Sequence, residues 1–160
     1  LLDFFIDFYR NEFTSLVGTT FPSPISKKII KEVKDKGYRL VLATTPIFPR
    51  EGTLERMRWA GLNEMDFEII TTYEDYSYSK PNLGYYHQIF SEMGIQSSEV
   101  LMIGNDIIED GVIRETGARC VFVADHLINT KDEDINDLEI YSLSGLYDFV
   151  KTLPQAYRGE

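Results

Sequence analysis

The sequence predicts an α/β protein with a doubly wound, mainly parallel sheet, and three observations carry that prediction. Apolar runs too short for buried helices recur along the chain: Leu40-Val41-Leu42, Val100-Leu101-Met102-Ile103 and Cys120-Val121-Phe122-Val123. Such runs suit strands buried on both faces. Between them lie stretches with apolar residues every three to four positions, the helical period, and glycines and prolines fall at the joins. Strands alternating with helices imply crossover connections and hence parallel pairing.

The elements follow in order. Asp3 to Leu16 places Phe4, Phe5, Phe8, Tyr9 and Phe13 at helical spacings, and the stretch Gly18 to Pro24 breaks the pattern. Pro24 suits the first turn of a helix through Ile25, Ile29, Ile30 and Val33, which Gly37 closes. Tyr38 to Ala43 reads as a strand. Pro46 and Pro49 mark a loop, and a helix is expected from Glu51 to Ala60 before Gly61. Phe67 to Ile70 is a second strand, and Thr71 to Lys80 a polar, tyrosine-rich loop. Pro81 then starts a helix with Leu83, Tyr86, Phe90 and Met93 on one face, ended by Gly94. Val100 to Ile103, a helix over Ile107 to Thr116, a strand over Cys120 to Val123 and a helix over Leu143 to Leu153 complete the pattern.

At 160 residues, with 43% apolar and 26% charged residues, the chain can bury a real core. A net charge of −10 argues against a nucleic-acid partner, whose phosphates attract Lys and Arg surfaces. No apolar stretch approaches the ~20 residues of a membrane span. Leu1 to Phe13 is interrupted by Asp3, Asp7 and Glu12 and lacks a basic leader, so it is not a signal peptide. The lone Cys120 reads as a small buried hydrophobe, and a reducing, cytoplasmic setting is expected. The two histidines, His87 and His126, lack partners at zinc-ligand spacing. Asp132-x-Asp134-x-Asn136 resembles the start of a calcium loop, but Asp137 and Leu143 stand where Gly and Glu are needed, so the tract 131–139 is expected to be a solvated loop.

The chemistry concentrates at Gly104-Asn105-Asp106-Ile107-Ile108-Glu109-Asp110, directly after an apolar strand. Ligands of α/β sheets bind beyond the carboxyl ends of strands. Asp106 and Asp110, four residues apart and without an obvious basic neighbour, suit a hard cation with oxygen ligands, most simply Mg²⁺. The same residues also suit a helix N-cap and a first-turn carboxylate. The first strand ends in Thr44-Thr45, and Ser79-Lys80-Pro81 precedes a helix. With Pro81 starting that helix, Lys80 stands near its N-cap, where the dipole disfavours a cation, so a compensating anion such as phosphate is expected there.

A strand-end hydroxyl, a lysine and two carboxylates, in that chain order, resemble the haloacid dehalogenase superfamily of phosphatases and related hydrolases, over roughly Ser23 to Asp125. The resemblance implies a Rossmann-like core and a Mg²⁺-dependent phosphohydrolase acting on a small phosphorylated metabolite. Thr44, with Thr45 beside it, would bind the transferring phosphoryl group, Lys80 would neutralise charge there, and Asp106 and Asp110 would hold the metal. Two alternatives stand beside it: a catalytically inactive member that only binds or regulates, and a dehalogenase-type hydrolase.

The family's nucleophile lies in an Asp-x-Asp motif at the end of its first strand, and no strand of this chain ends in one. By analogy that strand is central, between those ending at Thr44 and Ile103, and its removal would leave a gap of roughly 10 Å, two strand spacings. The chain also opens at Leu1 inside a helical pattern. Both features predict a piece of a longer protein, with residues 1–16 the end of a helical cap or linker and 17–160 the core. The aromatic Leu1 to Phe13 stretch leaves room for a homo-oligomer.

Overall fold

The computed structural model describes residues 2–156; Leu1 and residues 157–160, the outer ends of the expected 1–16 and 17–160 divisions, lie outside the described residues. The chain divides into two compact units, Leu1–Tyr76 with Val150–Glu160, and Ser77–Phe149. The strands are parallel, in two ladders.

In the first unit, α1 (Leu2–Arg10) is shorter than the expected helix and gives way to a 3₁₀ segment at Glu12–Thr19. Asn11 explains the break: its side chain bonds the Asp7 carbonyl and the Asp7 carboxylate. Local side-chain bonds of this kind compete with the helical ladder. Phe13 is buried, with its ring 4.8 Å from that of Trp59. Helix α2 (Pro24–Asp35) begins as expected, with Ser23 Oγ accepting from the Ile25 amide and Pro24 in the first turn. It buries Ile29 and Val33. Gly37, at φ 85°, turns the chain out of it. The next strand, β1 (Val41–Leu42), pairs in parallel with β2 (Ile69–Ile70). Between them lies α3 (Arg50–Trp59), whose first amide donates to the Glu74 carboxylate.

The second unit begins with α4 (Leu83–Met93). Its N-cap is Asn82, whose side chain accepts from the Gly84 amide at 2.8 Å, and Gly94 ends it at φ 64°. Then β3 (Leu101–Gly104) pairs with β4 (Arg119–Val123), Leu101 opposite Arg119 and Ile103 opposite Val121. A further strand, β5 (Ile140–Tyr141), adds to β4. It was not expected, because two residues after an acidic run carry no period. The tract before it is an exposed loop along most of its length. Helix α5 (Leu143–Thr152) follows, its first amide donating to Asp125.

The expected helix over Ile107 to Thr116 does not form. A hydrogen-bonded turn spans 107–110, and a 3₁₀ helix follows at Gly111–Thr116, ended by Gly117 at φ 89°. Asp106 still caps the start of this segment, accepting from the Ile108 and Glu109 amides as an N-cap does, but the chain beyond it winds as a turn and a 3₁₀ helix. No helix is long and apolar enough to cross a membrane among the described residues.

Candidate active site

The first unit carries Thr44 and Thr45, both half-buried, in the loop leaving β1. Thr71, fully buried just after β2, fixes this loop: its hydroxyl lies 2.6 Å from the Thr44 carbonyl and 3.2 Å from the Leu42 carbonyl. Parallel pairing brings the end of β2 beside the end of β1, so one hydroxyl can hold the turn.

The second unit carries Lys80, Asp106 and Asp110. Asp106 Oδ1 accepts from the Ile108 amide at 2.9 Å and the Glu109 amide at 2.8 Å. It therefore does act as a cap, but with one oxygen only. Its Oδ2 accepts no hydrogen bond among the described residues. Asp110 is held differently. Its Oδ2 accepts from the Asn105 amide at 2.9 Å and the Asp106 amide at 3.0 Å, and its Oδ1 lies 2.5 Å from Lys80 Nζ.

That pair corrects two expectations. Asp110 does have a basic partner, Lys80, thirty residues away in sequence and so invisible to local spacing. Nor is Lys80 a cation waiting for an anion at a helix N-cap, because Asn82 is the cap and the Lys80 ammonium meets Asp110. The side chains are 7% and 5% exposed, so each charge depends on the other. Gly104 makes the arrangement sterically possible. A Cβ there would come within 2.5 Å of Asp110 Cβ and Cγ, and only a bare glycine lets that side chain fold back over the strand end.

Three residues that the sequence pattern did not assign complete the surroundings. The Asn105 side chain donates to the His126 carbonyl at 2.8 Å, and the Ile128 amide donates to the Asn105 carbonyl at 2.7 Å, tying the turn to the segment after β4. Tyr86 donates to the Glu109 carbonyl at 2.6 Å. Burial, and after it the Asp110 charge, push the Tyr86 phenol far above its usual range. Cys120 lies 3.8 Å from the Asp110 carbonyl, and burial, then the same carboxylate, push its thiol up to about 12. Tyr86 and Cys120 read in sequence as ordinary core positions, which they also are. Only their polar atoms, placed by the fold, distinguish them.

The structure thus brings Lys80 and Asp110 into contact and sets the Asp106 amide on the same carboxylate, while Thr44 and Thr45 belong to the other unit. Two surface cavities, of about 270 and 300 Å³, are lined by other residues. Among the described residues no cluster of three or more acidic, histidine or cysteine side chains could enclose a metal. Asp106 offers the right chemistry for a hard cation, a carboxylate oxygen not committed to the protein.

Comparison with known proteins gives a consistent picture. The profile of the haloacid dehalogenase-like hydrolases matches residues 1–123. Among solved structures, the HAD phosphatase of Thermococcus onnurineus aligns with a TM-score of 0.65 at 20% identity, over 84% of this chain and 60% of that one. CbbY from Rhodobacter sphaeroides, solved with phosphate, aligns at 0.63 and 18% identity, over 86% of this chain and 60% of its own. A protein from Listeria monocytogenes serotype 4b aligns at 0.66 and 14% identity, over 82% of each chain. At these identities the likeness is one of fold. The chain spans about 60% of the length of the Thermococcus and Rhodobacter proteins. No curated protein sequence matches it.

Proposed function

The chain belongs to the haloacid dehalogenase-like hydrolases, and on that premise we propose that it is the larger part of a Mg²⁺-dependent phosphohydrolase core. The observation that carries the reading is the buried Lys80–Asp110 pair at 2.5 Å beside the half-engaged carboxylate of Asp106. A lysine held rigidly at a strand end is suited to neutralise a phosphoryl group, since phosphoryl transfer is catalysed mainly by positioning and charge stabilisation.

The roles divide as follows. Thr44 would hydrogen-bond the transferring phosphoryl group, with Thr45 next to it. Lys80 would neutralise the charge of that group, its ammonium oriented by Asp110 Oδ1. Asp106 would hold the metal through Oδ2. Asp110, which the spacing also offered to the metal, has both oxygens committed within the protein, so we assign it to Lys80 and to the two amides, reaching the metal only through bound water. Bound Mg²⁺ would supply a Lewis acid that offsets negative charge on the phosphoryl oxygens.

The nucleophile is an aspartate outside these residues, which attacks phosphorus, displaces the ester oxygen and yields an aspartyl-phosphate that water hydrolyses. Two observations support this. Among the described residues no strand ends in Asp-x-Asp. Strand β3 is an edge of its ladder with Ile103 exposed, an apolar edge suited to one more strand. The phosphate in the CbbY structure favours a phosphoester over a halogenated substrate. The small-metabolite substrate and cytoplasmic setting belong to the same proposal. Residues 1–16 would be the end of the cap that selects the substrate.

Phosphate release from para-nitrophenyl phosphate tests the reading. The protein extended upstream through the first strand should turn over with Mg²⁺ and stop with EDTA, while the 160-residue chain alone should be inactive. Metal-dependent turnover by the 160-residue chain would place the nucleophile within it. Failure of the extended protein to turn over would favour a binding or regulatory member of the family.

A further inference from the structure

Helix α4 places Tyr86 in the core, where the helical period alone asks only for a large apolar ring. Phenylalanine would fill the same space. The hydroxyl is an additional buried polar group, and such groups need a partner. Its partner is not in α4 but in the turn after β3: Tyr86 Oη donates 2.6 Å to the Glu109 carbonyl. That carbonyl belongs to the peptide joining Glu109 to Asp110. The amide of the same peptide, Asp110 N, donates 3.0 Å to the Asp106 carbonyl. The peptide is therefore held on both sides, and the Asp110 backbone has little freedom to swing. From that fixed backbone the carboxylate reaches Lys80 with one oxygen and the Asn105 and Asp106 amides with the other.

We propose that Tyr86 is a positioning residue for the Lys80–Asp110 pair: its hydroxyl fixes the Glu109–Asp110 peptide, and through that peptide the carboxylate that holds the Lys80 ammonium. The geometry stands without any assignment of substrate. Only its consequence for turnover rests on the phosphohydrolase reading. A buried phenol pushed upward in pKa stays a donor throughout the neutral range, so the clamp does not switch with physiological pH.

The direct test is amide hydrogen exchange, followed by NMR on the 160-residue chain with Tyr86→Phe, which keeps the ring and removes one oxygen. The Asn105 and Asp106 amides, which donate to Asp110 Oδ2, should exchange ~10-fold faster or more, as local opening becomes easier. Amides of the β3–β4 ladder should stay within about twofold. Tyr38→Phe removes a comparable hydroxyl-to-carbonyl bond, 3.0 Å to Pro154, and should leave Asn105 and Asp106 unchanged. Unchanged exchange at Asn105 and Asp106 in Tyr86→Phe would overturn the proposal. So would equal acceleration of every amide from residue 77 to 149, which would make the hydroxyl a general stabiliser. If the local acceleration is seen but the extended parent protein releases no phosphate, the positioning role holds and the phosphohydrolase reading fails.

Discussion

Two loops leave the carboxyl ends of parallel strands in this chain, and they are held by different chemistry. The loop after β1 is fastened by a neutral group, the buried Thr71 hydroxyl on the Thr44 carbonyl. The loop after β3 is fastened by charge: Asp106 caps its own turn, and Asp110 gathers two amides and the Lys80 ammonium. A hydroxyl on a carbonyl contributes about 1 kcal/mol net and tolerates loss. A buried ion pair adds little net stability, yet loss of one partner strands the other. The first arrangement fixes backbone shape; the second fixes a charge in space.

The largest effect expected from breaking the charged arrangement is Asp110→Ala. It leaves the Lys80 ammonium buried without its partner and should cost about 3–5 kcal/mol, measured by urea unfolding. Gly104→Ala attacks the same loop sterically. With a new Cβ at 2.5 Å from Asp110 Cγ, the side chain must move, at a cost of about 1–3 kcal/mol, and the Asn105 and Asp106 amides should lose protection from exchange. On the neutral side, Thr71→Val should cost only about 1–2 kcal/mol, because it keeps the shape and removes one donor from two carbonyls. A Thr71→Val cost equal to that of Asp110→Ala would erase the distinction between the loops.

The smallest effect is alkaline. The folded pKa of Cys120 is raised from 9.0 to about 12 by burial and then by Asp110. Its contribution to stability is therefore complete below pH 9 and is lost as pH rises from there towards 12. Between pH 8 and pH 10 the parent should lose about 1.4 kcal/mol more than Cys120→Ala, read from urea midpoints at each pH. Equal losses would mean that neither burial nor the Asp110 charge raises the thiol.

Much of this was legible in the sequence for a physical reason. Strands buried on both faces write themselves as apolar runs, and Ser23-Pro24 and Met93-Gly94 write the ends of helices, because these signals are local. The turn after β3 carries the signals of a helix start, and Asp106 does cap it, so nothing local distinguishes the turn and 3₁₀ helix that follow from an α-helix. Strand β5 leaves no mark in the sequence because its two residues depend on β4 for their definition. The site was half legible. Thr44, Lys80, Asp106 and Asp110 stand out by type and order, but the ion pair, the Thr71 clasp and the Tyr86 clamp join residues thirty, twenty-seven and twenty-three positions apart. No local pattern encodes such pairings.

Two neighbouring carboxylates are used differently: Asp110 meets the Lys80 ammonium, while Asp106 engages the protein through Oδ1 and is the residue proposed to hold Mg²⁺. Asp106→Asn separates the two roles cleanly, because the amide oxygen of Asn can still accept from the Ile108 and Glu109 amides while the negative charge is gone. Calorimetric titration of Mg²⁺ into the upstream-extended protein, parent against Asp106→Asn, is the most direct measurement. The account predicts at least ~10-fold weaker Mg²⁺ binding in the variant with a nearly unchanged melting temperature. Equal Mg²⁺ affinity in the two proteins would reduce Asp106 to the cap of its turn and contradict the account.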